Sequence, residues 1–274
     1  MKNVVLFGYG KMGSSIAKGW MLKRLKFNFF IVEKETSLRK IAIKDGMKSY
    51  ENLEELKKFV DMKTIDIIFL AVKPQQMNEA IKVFTRIDFS KTLFISIAAG
   101  LSFDWFQLKL KKNIKLIRAM PNLPASVGFG VTGYCKTRNV NEIELHDVQN
   151  LLNAFGKVIY LESESLIDVV TAISGSGPAY VFYFVEVLSK IGMHQGLSKK
   201  DAKVLALETV IGSARLLEMS NTDPIVLKNN VTSPGGTTEA GLEILASTNY
   251  GLYNILEKTI INAKNRASEL NSHG

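Results

Sequence analysis

A glycine-rich turn, Gly8-Tyr9-Gly10-Lys11-Met12-Gly13, directly follows the apolar run Val4-Val5-Leu6-Phe7. A short apolar run closed by glycine reads as a buried parallel strand. Met12 to Leu22 reads as a helix, so the turn fits G-x-G-x-x-G between strand and helix. Gly8 permits the tight turn, Gly10 lets a backbone approach a pyrophosphate, and Gly13 lets helix and strand pack closely. Glycines also close ordinary βα turns. The position near the N-terminus, straight after an apolar strand, favours dinucleotide binding.

The alternation continues. Strands are expected at Phe29–Val32, Ile65–Val72, Leu93–Ile97 and Ile114–Arg118, with helices near 36–44, 51–59, 75–84 and 102–109. One more helix near 141–155 precedes Val158-Ile159-Tyr160. Alternating strands and helices imply a doubly wound parallel sheet. After about residue 163 the pattern becomes helical. The expected fold is α/β: a Rossmann-type domain over 1–162 and an all-helical dimerisation and substrate-binding domain over 163–274.

Glu33 closes the second strand, about 20 residues after the glycine loop, where a carboxylate accepts from the adenosine ribose hydroxyls and repels a 2′-phosphate. Alone it favours NAD(H). Lys34, Arg39 and Lys40 lie near enough in sequence to accommodate a phosphate, so NADPH and NADH both remain open. A solvated strand end is the plain alternative for Glu33.

Composition excludes more than it assigns. The single cysteine, Cys135, rules out an intramolecular disulfide and fits a reducing cytoplasm. No signal-peptide core precedes the first strand, and no apolar run reaches the roughly 18 residues of a membrane span. The net charge of +9 comes from scattered lysines without interleaved aromatics, which reads as solvation rather than nucleic-acid binding. His146, His194 and His273 show no metal-ligand spacing, so no metal is expected.

Two glycine-rich loops stand in the last third. One is Ser174-Gly175-Ser176-Gly177-Pro178, the other Thr232-Ser233-Pro234-Gly235-Gly236-Thr237-Thr238, and each opens onto a helical segment. Backbone N–H groups, hydroxyls and a helix N-terminus converging on one point suit a small carboxylate. The helix after Pro178 is apolar on nearly all sides through Val181, Phe182, Phe184, Val185, Val187 and Leu188. In so small a domain this implies burial against another subunit. The expected assembly is a homodimer interlocked through residues after about 163, or a larger ring built from it.

These two loops, with Met120-Pro121-Asn122-Leu123-Pro124, closely resemble the pyrroline-5-carboxylate reductase family, which catalyses the last step of proline biosynthesis. The resemblance spans nearly the whole chain, and its most specific part is Thr232–Leu242. It implies reduction of 1-pyrroline-5-carboxylate to L-proline with NADPH or NADH. It places Ala71, Val72, Lys73 and Pro74 beside the cofactor, Asn52 near the adenosine, and Met120 and Asn122 on the loop facing the nicotinamide. It gives Thr238 contact with the substrate's ring nitrogen, with Ser174, Gly175, Ser233, Gly235, Gly236 and Thr237 around the substrate. Thr237 and Thr238 could also simply cap the helix. Two residues depart from the family pattern: Leu123 stands where threonine is usual, and Phe129 where an acidic residue is common.

Two rivals remain. Another imine or β-hydroxyacid dehydrogenase could share this plan, but members of the latter class typically carry a catalytic lysine on the helical domain's first long helix, where Ala179–Val187 holds none and Lys190 comes only near the end. A non-catalytic dinucleotide sensor would not need the Thr232–Leu242 loop.

Overall fold

The computed structural model describes residues 1–86, 88–110 and 113–272. They form two compact units: Met1–Ser176 together with the chain from Ala263 onward, and Gly177–Asn262.

The first unit is built on β1 (Lys2–Phe7), α1 (Lys11–Leu22), β2 (Phe27–Val32), α2 (Thr36–Lys44), β3 (Lys48–Tyr50), α3 (Leu53–Leu56) and β4 (Ile65–Leu70). It continues through α4 (Pro74–Lys82), β5 (Leu93–Ser96), α5 (Phe103–Lys109), β6 (Lys115–Met120), β7 (Gly130–Lys136), α6 (Glu142–Asn153), β8 (Gly156–Tyr160) and α7 (Leu166–Val170). Among the described residues the eight strands form one sheet in the order β3-β2-β1-β4-β5-β6-β7-β8. The pairs are parallel except β6 with β7. The first six strands have the doubly wound order, whose direction of winding reverses between β1 and β4.

Side chains alternate across this sheet because the strand period is two. Val4, Leu6, Ile31, Ile67, Phe69 and Ile95 pack on one face with Ile16, Ala17 and Trp20 of α1 and Leu151 and Leu152 of α6. Trp20 Nε1 donates to the Leu151 carbonyl at 2.9 Å, satisfying the indole inside that layer. Val5, Phe7, Phe30, Ile68, Leu70 and Phe94 pack on the other face with Leu56, Met77, Ile81 and Phe106.

The sequence reading and the structure differ locally. β4 ends at Leu70 rather than Val72, because Pro74 already opens α4. The helix near 51–59 is confined to Leu53–Leu56. β3 and β7 have no counterpart in the reading. β3 is three residues long, and β7 carries Gly130 and Gly133 within a mixed polar run. Gly133 leaves the space that the Val170 side chain fills.

The second unit contains α8 (Gly177–His194), α9 (Lys199–Ser220), α10 (Pro224–Asn230), α11 (Thr237–Leu245) and the start of α12 (Leu252–Ser272). Pro178 falls in the first turn of α8, where its missing N–H has no intrahelical role. Ser198 caps α9 by accepting from Asp201 N at 3.1 Å. The end of α12 returns to the first unit, where Ala267 is buried and Ser268 Oγ donates to Asp168 at 2.9 Å. Leu270 there lies against Gly100.

A part-buried ion pair ties β6 to the segment before α7. Arg118 on β6 is 4% exposed and binds Glu164, whose carboxylate also accepts from Phe103 N at 2.7 Å. The other terminal nitrogen of Arg118 is buried without a hydrogen-bond partner among the described residues. Removing Glu164 strands the guanidinium. Glu164→Ala is expected to destabilise the protein by about 3 kcal/mol in urea denaturation, whereas the double variant with Arg118→Met recovers most of that loss. Equal losses in both variants would show that the pair is not the cause.

Candidate active site

β1 and β4 end side by side at the point where the winding reverses, the place where sheets of this kind bind ligands. Gly8 adopts φ +95°, and a Cβ on it would meet the Ala71 carbonyl oxygen at 2.8 Å. Ala71 N donates to Phe7 O at 2.8 Å, and Gly8 N donates to Val32 O at 2.9 Å. Gly13 packs closer still: a Cβ there would lie 2.1 Å from the Gly8 carbonyl oxygen. Gly10 is different, with open space around the position a Cβ would take. It is the N-cap of α1, and no side chain caps that helix. The first-turn N–H groups and the helix dipole therefore face an open position suited to an anion.

The neighbours of this turn are specific. The ring of Tyr9 is buried, and its hydroxyl donates to Asp45 at 3.0 Å. Burial, and then that bond to Asp45, hold the phenol well above its ordinary pKa. Lys11 is exposed and Met12 packs against the core. Glu33 is 9% exposed, and its carboxylate accepts from Tyr9 N at 2.7 Å and Glu35 N at 2.9 Å. It is a fixed acceptor rather than a solvated strand end. Val72 lies beside Gly8, while Lys73 is the exposed N-cap residue of α4 and Pro74 its first residue. Asn52 caps α3 by accepting from Glu55 N at 2.9 Å.

A second group forms in the same unit. Asn122 is buried, donates to Ser174 O at 3.1 Å and accepts from Val131 N at 2.9 Å. Met120 reaches to 3.9 Å from the position of a Cβ on Gly175. The structure thus brings Met120, Asn122, Ser174 and Gly175 together, which sequence spacing could not show. Thr171–Gly175 forms a π turn, a distortion frequent at functional sites. The Ser174 hydroxyl is committed to Val170 O at 3.0 Å, so this segment offers backbone more than side chain. Leu123 and Phe129 are both exposed on the neighbouring loop.

The second unit presents the other loop by itself. Gly235 takes φ +71°, and Gly236 N donates to Ser233 O at 2.9 Å, closing a tight turn before α11. Gly235 N donates to Glu239 Oε2 at 2.7 Å. Gly236 is the N-cap, with no side-chain cap bond. Thr237 and Thr238 are exposed, and neither hydroxyl makes a hydrogen bond among the described residues. Capping does not occupy them.

Other chemistry is poorly served. Burial pushes the Cys135 thiol up to about 12, which disfavours a thiolate nucleophile. Lys190 is exposed and hydrogen-bonded to Glu186, which raises its pKa. Among the described residues no group of three or more His, Cys, Asp or Glu could hold a metal. His273 lies outside the described residues. No described helix is long and apolar enough to cross a membrane.

Fold and crevice together define a dinucleotide-binding protein of the doubly wound class, continued by a helical unit. The chain is 34% identical over 266 residues to the pyrroline-5-carboxylate reductase of Aquifex aeolicus, covering 97% of this chain and 95% of that protein. It belongs to the pyrroline-5-carboxylate reductase family. Residues 164–270 match the family model for pyrroline-5-carboxylate reductase dimerisation, and residues 3–100 match that for NADP oxidoreductase, coenzyme F420-dependent. A solved pyrroline-5-carboxylate reductase from Coxiella burnetii superposes with a TM-score of 0.89 at 31% identity, covering 98% of each chain. The Plasmodium falciparum pyrroline carboxylate reductase with NADP bound gives 0.80 at 29% identity, again over 98% of each.

Gly10→Val places a side chain into space that is free in the protein but lies at the mouth of α1. Circular dichroism and melting temperature should stay near native while binding of reduced nicotinamide dinucleotide, read by its fluorescence, is lost. Retained binding would reduce the glycine turn to a structural corner.

Proposed function

We propose that this protein reduces 1-pyrroline-5-carboxylate to L-proline, the last step of proline biosynthesis, with NADH or NADPH. The observation that carries the reading is the similarity to pyrroline-5-carboxylate reductases along 97% of the chain. The reading assigns residues 1–162 to dinucleotide binding and 163–274 to dimerisation and substrate binding, in a cytoplasmic enzyme.

The reaction asks little chemistry of the protein. When bound, the reduced nicotinamide supplies a hydride. A protonated cyclic imine accepts it readily at carbon, so the main task of the side chains is positioning. Gly8, Tyr9, Gly10, Lys11, Met12 and Gly13 would hold the pyrophosphate through backbone and helix start. Glu33, with Asn52, would hold the adenosine end, and Ala71, Val72, Lys73, Pro74, Met120 and Asn122 the remainder.

The reading gives Ser174 and Gly175 of the first unit, and Ser233, Gly235, Gly236 and Thr237 of the second, to substrate binding. In the second unit the carboxylate falls to the Ser233 and Thr237 hydroxyls, since Glu239 already holds Gly235 N and Ser233 O holds Gly236 N. Charge-assisted hydrogen bonds contribute roughly 1.5–3 kcal/mol each, so a few suffice for affinity compatible with turnover. Thr238 would hold the ring nitrogen, keeping its proton in place as the C=N electron pair collapses onto nitrogen. Its uncommitted, exposed hydroxyl supports that role.

Thr238→Ala should lower kcat/KM about 10- to 1000-fold, or about 1.4–4 kcal/mol of barrier. Thr238→Ser should retain most activity. Because Gly236 already caps α11, melting temperature should hardly change in either variant. An alanine variant that is less stable yet fully active would remove Thr238 from the chemistry. The decisive general assay is oxidation of NADH and NADPH with and without pyrroline-5-carboxylate.

The assembly follows from α8. Phe182 is 58% and Tyr183 65% exposed in the single chain, with Val181 and Phe184 beside them. Such a face is covered in a stable oligomer. The reading is a homodimer, with a larger ring such as a decamer as its extension. Light scattering should give no monomer in active preparations, and a stable active monomer would overturn the assignment.

A further inference from the structure

We infer that the turn joining β2 to α2 makes this protein selective for NADH over NADPH, with Glu33 as the discriminating residue. The inference rests on the proposed cofactor site and goes beyond it, since that reading leaves the two cofactors equal.

The two differ only at the ribose 2′ position. NADH presents a hydroxyl, which can donate a hydrogen bond. NADPH presents a phosphate, an anion that needs donors and cations. The question is which of these residues 33–40 can supply.

Glu33 supplies an acceptor, and it cannot easily withdraw. One carboxylate oxygen is held by Tyr9 N and the other by Glu35 N. Tyr9 is itself anchored, since its ring is in the core and its hydroxyl is bound to Asp45. Lys18 reaches the same aspartate at 3.3 Å. Each carboxylate oxygen retains a further lone pair, matching the two ribose hydroxyls as donors. Swinging Glu33 aside for a phosphate would leave two N–H groups of the turn unpaired, one of them buried.

Of the cations that sequence spacing offers to a phosphate, the one with a planar fork is already engaged. Arg39 is turned under the strand end. Its NH1 donates to Glu33 O at 2.9 Å and Lys34 O at 2.7 Å, and its NH2 donates to Thr36 Oγ1 at 2.9 Å. The guanidinium also faces Glu51 at 3.7 Å. Only 17% of that side chain is exposed. Lys34 faces Glu79 at 3.7 Å with both side chains largely exposed, a weak pair that leaves it a flexible point charge. The Ser37 hydroxyl donates to Glu35. Lys40 is exposed on α2 and remains as a flexible point charge, without the fork geometry that grips a phosphate. Toward the ribose the turn therefore offers a fixed carboxylate acceptor, and its one guanidinium fork is held by the turn's own carbonyls. The selectivity belongs to these residues and not to the family, one relative of which holds NADP.

Binding, not turnover, tests this. NADH and NADPH are titrated by fluorescence and calorimetry into the full-length protein and into Glu33→Ser. The adenosine-end probes 5′-AMP and 2′,5′-ADP are titrated in parallel. The native protein should bind NADH at least about 10-fold tighter than NADPH, equivalent to about 1.4 kcal/mol. The AMP pair should show the same order. Glu33→Ser should bring the ratio within about threefold or reverse it, with a native melting profile. NADPH binding as tightly as NADH to the native protein would overturn the inference while leaving the cofactor site standing. A ratio unmoved in a folded Glu33→Ser would do the same. If neither dinucleotide bound, the site reading itself would fall and the preference with it.

Discussion

The first unit depends on a contact between two backbones. No side chain at Gly13 could coexist with the Gly8 carbonyl, so α1 begins directly above the end of β1. That approach sets where the helix dipole points. It also fixes Tyr9 between them, and Tyr9 N fixes Glu33 at the end of the next strand. One steric requirement in the first turn thus orders the pyrophosphate end and the ribose end of the crevice together. The positive φ of Gly8 and its bond to Val32 O complete the arrangement.

The other recognition elements are ordered by different means. Asn122 uses both ends of its amide to hold a β7 backbone group and the π turn at Ser174, so a buried polar side chain does what close packing does at Gly13. The Ser233–Thr238 turn is ordered from within, by Gly235, Gly236 and the Glu239 carboxylate. Glu239 takes one backbone donor and leaves the threonine hydroxyls free.

Much of this was legible in the chain. Val4–Phe7 followed by glycine identifies strand, turn and helix at once, because burial on two faces leaves a continuous apolar run. β3 and β7 were not legible, because one is too short for any period to register and the other is interrupted by glycines that serve Val170 and a neighbouring backbone. The candidate residues could be named from motif spacing. What they do with their hydrogen bonds could not. Arg39 looks available for a phosphate in the sequence and is committed to carbonyls in the structure. Thr238 looks like a cap, and Gly236 holds that place. These outcomes turn on rotamers and tertiary neighbours, which local sequence does not encode.

The return of α12 to the first unit has a consequence for how the chain is made. The sheet is complete at Tyr160, yet Ala267, Ser268 and Leu270 complete the packing around Gly100 and Asp168. At about 5–20 residues per second, roughly 5–20 s separate the emergence of these parts from the ribosome. Throughout that interval the nascent sheet carries an unfilled seat beside the β5–α5 loop. The helical unit is synthesised inside that wait, so the amino-terminal unit is the first to start folding and the last to finish.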